Sequence, residues 1–244
     1  MSDASDVSIK GSPVWATIAD LLRREIAEGA RRPGDRLPTE ARLAARFGVN
    51  RHTVRRALAA LVEEGLVRTR RGSGAFVAEA PTEYPIGART RFRRSMEAAG
   101  RVPGKRLLSL ETRPATAEEA APLCLTPGDA IHVAEGIALA DGAPVALFRS
   151  TFPAARLPGL PGALARDGSV TDALRACGVA DYVRVSTRIT AAAADPVEAG
   201  HLHLEPGAPL LVSEAINADL DGTPVEAGTT RFAGTRIALT LHHP

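Results

Sequence analysis

Cysteine is nearly absent from this 244-residue chain, occurring only at Cys124 and Cys177. Two thiols exclude a disulfide framework and a four-cysteine zinc site, and they fit a reducing, cytoplasmic setting. Neither has a histidine partner at a recognisable spacing, so no catalytic thiol is expected. Aromatic residues make up only 4%, with Trp15 the single tryptophan. No run approaches the roughly 20 apolar residues that span a bilayer, so no membrane partner is expected. The opening MSDASDVSIK carries acids and lacks an apolar core, unlike a secretory signal. Residues 1–11 read as a disordered tail. Cofactor signatures are missing too: Gly72-Ser-Gly74 lacks the Gly-Lys-Ser/Thr continuation of a phosphate-binding loop. His201-x-His203 has no nearby carboxylate pair, and His242-His243 sits at a chain end, so no metal is expected.

What is present is an ordinary soluble composition, 45% hydrophobic and 24% charged with a mean hydropathy of -0.03, at a length comfortable for two domains. The net charge of +2 hides a division: +4 over residues 1–80, +3 over 81–104 and -5 over 105–244. A basic front and an acidic back point to a nucleic-acid-facing module joined to something else. Of the 30 basic residues, only Lys10 and Lys105 are lysine. Arginine suits bidentate contacts to phosphate and guanine, although an alanine- and glycine-rich background also reflects genomic base composition.

The front module reads as three helices and a hairpin. Val14, Ile18, Leu21, Leu22 and Ile26 recur at helical spacing over 13–30, opened by Pro13 and ended by Gly29 and Pro33-Gly34. Thr39 is the expected N-cap of a short helix that Gly48 stops, and Asn50 that of a third helix closed by Gly65. Two helices joined by a tight glycine-containing turn form a helix-turn-helix. The exposed start of its second helix carries Arg51, His52, Thr53, Arg55 and Arg56, where side chains meet base edges. Residues 66–77 then alternate about a Gly-Ser-Gly tip with Arg68, Arg70 and Arg71 on its flank, a hairpin fit to follow a phosphate backbone or minor groove. A plain helical bundle explains the apolar stripes equally well, but not the basic hairpin.

The run Pro33-Gly-Asp-Arg-Leu-Pro-Thr-Glu40, Leu-Ala-Ala-Arg-Phe-Gly-Val-Asn-Arg-His-Thr-Val-Arg-Arg-Ala-Leu58, Glu-Glu-Gly-Leu-Val67 and Arg-Arg-Gly-Ser-Gly-Ala-Phe-Val77 closely resembles the winged helix-turn-helix of GntR-family bacterial transcription regulators. The resemblance implies a DNA-binding domain over 12–79. It implies that Arg51, Thr53 and Arg55 read bases or phosphates, with His52 beside them. Thr39 and the wing tip at Arg71, Gly72 and Gly74 would touch the backbone or minor groove. Position 50, usually Ser or Thr in such proteins, is Asn here; capping survives and operator preference shifts.

Residues 80–88 read as a turn-rich linker. A basic helix is expected over 89–96, running on to Gly100; it is either a solvated face or an anion site. From residue 107 the chain repeats. Leu125-Thr-Pro-Gly-Asp-Ala130 matches Leu204-Glu-Pro-Gly-Ala-Pro209, and Glu135 meets Glu214. After one inserted residue, Asp141-Gly142 meets Asp221-Gly222 and Phe152 meets Phe232. Each copy reads as a strand (107–113, 183–189), a helix (116–123, 195–202), a Pro-Gly turn and an Asp-Gly hairpin. Two such α+β halves pair into one antiparallel sheet with helices against it, and a small molecule would sit between them.

This half is similar to the effector-binding (UTRA) domain of the HutC-type branch, which shares a fold with chorismate lyase. It is most like phosphonate-metabolism (PhnF-type) regulators, on the stretches 89–96, 145–160 and 178–190. The resemblance implies an α+β effector domain over 89–244. In sugar-phosphate-binding relatives a hydroxyl near the basic helix, an Arg-x-Arg on the first hairpin and a serine opening a later helix hold the phosphate. A glutamate on the last hairpin reads the ligand's polar end. By position these fall at Arg91 with Thr90 adjacent, at Gly136 and Ala138, at Ser169 and at Glu226. The Arg-x-Arg is thus missing, and Arg91, Arg93, Arg149, Arg188 or Arg231 would have to supply the charge.

The expectation is a cytoplasmic, homodimeric transcription repressor that binds a near-palindromic double-stranded operator under control of a small, anionic, phosphonate- or phosphate-related effector. It is not an enzyme and holds no cofactor. Two alternatives stay open: a back domain that only dimerises, or a chorismate-lyase-like enzyme tethered to DNA.

Overall fold

The structure, a computed structural model, describes residues 13–70, 74–78 and 81–241. The N-terminal tail, Arg71, Gly72 and Ser73 of the wing tip, and His242-His243 lie outside the described residues. The chain forms two compact units that divide between Ala80 and Pro81.

The first unit holds α1 (Val14–Ala27), α2 (Glu40–Phe47), α3 (Arg51–Glu63) and a hairpin of β1 (Val67–Arg70) with β2 (Gly74–Val77). The helix expected over 13–30 stops at Ala27, because Glu28 caps it and Gly29 turns left-handed (φ +75°). Both expected N-caps form. Thr39 Oγ1 accepts the Arg42 N–H at 3.3 Å, and Asn50 Oδ1 accepts the Thr53 N–H at 2.8 Å. Gly48 ends α2 at φ +64°, a left-handed geometry that a side chain would penalise. That turn aims α3 across α2. Ile18, Leu22, Leu43, Val54, Leu58, Leu61 and Val67 bury together behind it, so the apolar stripes of all three helices share one core. The segment before α2 lies against the hairpin: Leu37 N–H donates to Ala75 O at 2.8 Å and Val77 N–H to Asp35 O at 2.9 Å.

The second unit is built on a six-stranded antiparallel sheet of order β4-β5-β6-β9-β8-β7. Its elements are β3 (Thr82–Pro85), α4 (Phe92–Ala98), β4 (Pro103–Pro114), α5 (Ala117–Ala120) with a 3₁₀ turn (Ala121–Leu123), β5 (Ala130–Ala140), β6 (Ala143–Pro153), α6 (Leu160–Asp167), α7 (Val170–Ala176), β7 (Tyr182–Ala193), α8 (Pro196–Leu202), β8 (Pro209–Asp219), β9 (Pro224–Ala233) and β10 (Ile237–Thr240). The duplication is explicit. Both α5 and α8 open on reciprocal capping boxes, Thr116 with Glu119 and Asp195 with Glu198. Both hairpins turn on Asp-Gly, with Asp141 and Gly142 at φ +48° and +76°, the geometry that matches strand twist. The halves join where β6 pairs with β9, Ser150 opposite Gly228 and Phe148 opposite Thr230.

Two expectations need correction. Residues 82–85 are not linker: Thr82–Pro85 pairs in parallel with Ile237–Thr240, a partner so distant in sequence that no local pattern announces it. The basic helix begins at Phe92 rather than residue 89, since Arg91 is extended (φ -134°) and Thr90 closes a turn on Gly87. Residues 160–167, to which the sequence pattern assigned no element, form α6, with Pro161 in its first turn.

One sheet face is covered by α4, α6 and α7. Leu160, Leu164 and Leu174 pack with Phe152 and Val225, and Met96 packs with Ala138 and Phe232. The other face carries Leu123 against Ile131 and Val133, and Leu202 near Leu210 and Leu147. On the α6 side lies His132, 4% exposed, bonded through Nδ1 to Thr112 Oγ1 (2.7 Å) and through Nε2 to Leu157 O (3.1 Å). The Leu157 carbonyl accepts, so Nε2 carries the proton and Nδ1 accepts from the threonine hydroxyl. Burial lowers the His132 pKa below its ordinary value, which makes the neutral ring the native form. Its contribution is present above the unfolded-state pKa of about 6.5 and is lost as pH falls below it. His132→Gln should therefore cost about 1–3 kcal/mol at pH 7.5 yet lose less further stability on going to pH 5 than the wild type. Parallel melting-temperature profiles over that range would contradict this role.

Candidate nucleic-acid interface and ligand cavity

In the first unit the side chains at the start of α3 form the candidate reading surface. Arg51 and His52 are exposed, and no acid occupies the first turn, so the helix N-terminus and its cations present one sign of charge. Thr53 turns back, with N–H and Oγ1 both on Asn50 Oδ1. Arg55 forks onto Glu40 of α2, Nη2 to Oε2 at 2.8 Å and Nε to Oε1 at 3.2 Å, holding that carboxyl below its ordinary pKa. Arg56 stacks on Trp15 at 4.6 Å from the ring centre, a packing role. Thr39 is exposed and spends its oxygen on the α2 cap. Gly74 opens β2 at φ +99°, and a Cβ there would lie 3.4 Å from Arg36 Nε. Arg36, bridged to Phe76, is an exposed cation beside the wing that sequence reading missed, because 31–38 read only as a connection.

In the second unit a cavity of about 180 Å³ opens between the sheet and the segments around α4 and α7. Thr90, Arg91, Arg93, Ser169 and Glu226 all line it. Thr90 is buried and its hydroxyl serves Gly87, accepting from N–H at 2.7 Å and donating to O at 2.8 Å. Ser169 caps α7, accepting from Asp172 N–H at 3.2 Å. The Arg91 guanidinium lies over the Tyr182 ring at 3.4 Å, donates to Tyr182 O and reaches Asp181 at 3.4 Å. Arg93 is exposed, 3.4 Å from Glu97. Burial pushes the hydroxyls of Tyr84 and Tyr182, both in the wall, up to about 12, so they stay protonated at neutral pH.

Arg149, Arg188 and Arg231 are corrected out of this site. Strand alternation decides it: Phe148 and Ser150 face the cavity, so Arg149 between them faces away. There it bonds Glu119 (2.7 Å) and Glu135. Arg188 pairs with Glu214 (3.3 Å) and Arg231 with Glu198 (3.2 Å). Arg149 and Arg188 line a second depression, about 460 Å³, that also holds Glu118, Glu119 and Glu214.

Sequence reading missed Lys105, Ser150, Arg184 and Asn217, all of which line the cavity. Arg184 arrives by a bulge. It pairs with Asn217 while Ser186 pairs with Ile216, skipping exposed Val185, so the parity of β7 changes and Arg184 joins the cavity face. The absent Arg-x-Arg also has a cause. A Cβ on Gly136 would sit 2.5 Å from Arg106 O and 2.6 Å from Phe148 Cζ. Phe148 covers the position, with the Lys105 ammonium 4.8 Å above its ring. Among the described residues the cavity wall thus carries four cations, Arg91, Arg93, Lys105 and Arg184, against one carboxylate, Glu226.

No group of three or more His, Cys, Asp or Glu among the described residues is placed to hold a metal; His203 merely caps α8 at φ +51°. Among the same residues no helix is long and apolar enough to cross a membrane.

Comparison with known proteins agrees with this division. Residues 15–77 match the family model "Bacterial regulatory proteins, gntR family", and residues 98–238 match the UTRA domain. The chain is 42% identical over 95% of both lengths to an uncharacterised helix-turn-helix transcriptional regulator of Rhizobium meliloti. It is 30% identical to the transcriptional repressor NagR of Bacillus subtilis, over 92% of each chain. The crystal structure of PhnF from Mycobacterium smegmatis, a protein named a transcriptional repressor, matches with a TM-score of 0.65 at 27% identity, covering 93% of this chain and 99% of that one.

Restoring an arginine at position 136 should be costly, because backbone cannot yield as a flexible side chain can. Gly136→Arg is expected to lower the melting temperature by several degrees, and pairing it with Phe148→Ala should recover only part of the loss. An unchanged melting temperature for the single variant would show that the contact with Arg106 O is not restrictive.

Proposed function

The chain belongs to the GntR family of bacterial regulatory proteins and carries a UTRA domain, and on that premise we propose that this transcription regulator is a cytoplasmic, homodimeric repressor released or retained by a small anion. Its relatives are named regulators rather than enzymes. Two copies of α3 would enter successive major grooves of a near-palindromic operator, Arg51 and Arg55 supplying base or phosphate contacts and His52 and Thr53 flanking them. The wing, including Arg71 and Gly72, would lie on the adjacent backbone or minor groove. For Arg55 this means exchanging the Glu40 fork for DNA.

The observation that carries the effector reading is the charge of the cavity, four cations around one carboxylate. Lys105 and Arg184 take over from the missing arginines, which supports a ligand-binding rather than a purely dimerising role. A cavity of about 180 Å³ lies below the roughly 300–1,000 Å³ typical of drug-sized ligands, in keeping with a compact phosphate- or phosphonate-bearing metabolite. Ligand and operator affinities would be linked reciprocally through the dimer.

Operator affinity should fall steeply and log-linearly with salt; a constant affinity between 50 and 200 mM, on the order of the usual test range, would refute DNA recognition by these cations. Arg51→Ala is expected to weaken specific binding by about 1–3 kcal/mol and relax discrimination at one base pair, whereas equal weakening on all DNA would assign it to phosphate positioning. For the effector, inorganic phosphate, methylphosphonate and small phosphate monoesters should raise the melting temperature in proportion to the logarithm of concentration. The effect should be absent with uncharged analogues and reduced in Arg184→Ala. No shift from any anion would reject the reading.

A further inference from the structure

The floor of the cavity makes a demand that an anion does not meet. Glu226 is 8% exposed and both its oxygens are held by neutral donors, Oε1 by Ser150 Oγ at 2.7 Å and Oε2 by Asn217 Nδ2 at 2.6 Å. Among the described residues it forms no ion pair. Asn217 is 6% exposed, and its Oδ1 is buried with no hydrogen-bond partner. The amide cannot be turned over to cure this, since its carbonyl would then face the Glu226 carboxylate. The Ser150 hydroxyl has one proton and gives it to Glu226. The floor is therefore rich in acceptors, the spare lone pairs of Glu226 and those of Asn217 Oδ1, and carries one negative charge; of its own protons only the second on Asn217 Nδ2 is left to donate. Buried acceptors are almost always satisfied, and a buried carboxylate is normally paired with a cation. Around it stand the cations of the wall. Arg184, opposite Asn217 in register, also has its Nε buried without a partner.

We propose that the effector carries a primary ammonium as well as its anionic group, and that the ammonium docks on Glu226 and Asn217 Oδ1 while Arg184, Lys105 and Arg91 hold the anion. This rests on the reading that the cavity binds a small anion, and it narrows the class to compact aminoalkyl phosphates or phosphonates. An ammonium brings three donors and one positive charge, which is what the floor lacks. A hydroxyl or a water brings one or two donors and no charge, so it leaves the carboxylate uncompensated. The small volume requires a short spacer between the two charges.

Three phosphate monoesters of nearly equal size separate these cases: O-phosphoethanolamine, 2-hydroxyethyl phosphate and propyl phosphate, titrated calorimetrically into the full chain at one pH and ionic strength. The ammonium ester should bind at least tenfold more tightly than either of the others. In Glu226→Gln the preference for the ammonium ester over the other two should fall below threefold; there the new amide can donate to a reoriented Asn217 and the floor becomes neutral. The wild-type comparison needs no variant and decides by itself. Equal affinity of the three esters, or preference for the hydroxyl or propyl ester, overturns the ammonium site while anion binding stands. Binding of none of the three overturns it as well, and the anion reading is then judged separately by its own panel.

Discussion

The pairing of β6 with β9 is the constraint on which the second unit depends. It fuses two copies of one α+β motif into a single sheet, and its register decides which side chains share a face. With Ser150 opposite Gly228, the Ser150 hydroxyl reaches diagonally to Glu226 and a polar floor forms across the junction of the halves. The neighbouring position on the same strand, Arg149, is sent to the other face, where Glu119 and Glu135 neutralise it. A slip of one residue would exchange those two sets. The seam that stabilises the duplicated fold is therefore also what builds its cavity.

Charge in this unit is arranged by position rather than by quantity. The acidic excess of the back half lies partly on the face away from the cavity, where Glu119, Glu198 and Glu214 occupy the arginines of that face. The cavity keeps cations contributed by separate segments, Arg91 and Arg93 at the start of α4, Lys105 on β4 and Arg184 on β7. Phe148 covering Gly136 removes one arginine position, and the bulge at Val185 brings in another arginine from a different strand. Loss and replacement are two local events in opposite halves of the same sheet.

Local signals were legible in the sequence and distant ones were not. Thr39, Asn50 and Gly48 announced the helix-turn-helix because capping and left-handed turns are decided within a few residues. The repeated Asp-Gly hairpins announced the duplicated sheet for the same reason. The strand Thr82–Pro85 was hidden because its partner lies at the far end of the chain, and α6 was assigned no element. Among the residues expected to bind an effector, Thr90, Arg91, Arg93, Ser169 and Glu226 reach the cavity, whereas Arg149, Arg188 and Arg231 do not. Telling them apart needs strand parity, and parity depends on bulges such as the one beside Arg184. Lys105 and Asn217 stood in runs with no motif, so only the register shows them converging.

The proposed regulator requires that a DNA reader and an anion cavity in one chain control each other. Fluorescence anisotropy tests it most directly, with the full chain titrated onto an operator selected from random DNA, with and without the anion that most raises its melting temperature. A saturating anion is expected to change operator affinity, and operator to change anion affinity by the same factor. Operator affinity that stays constant while the cavity is filled would contradict it.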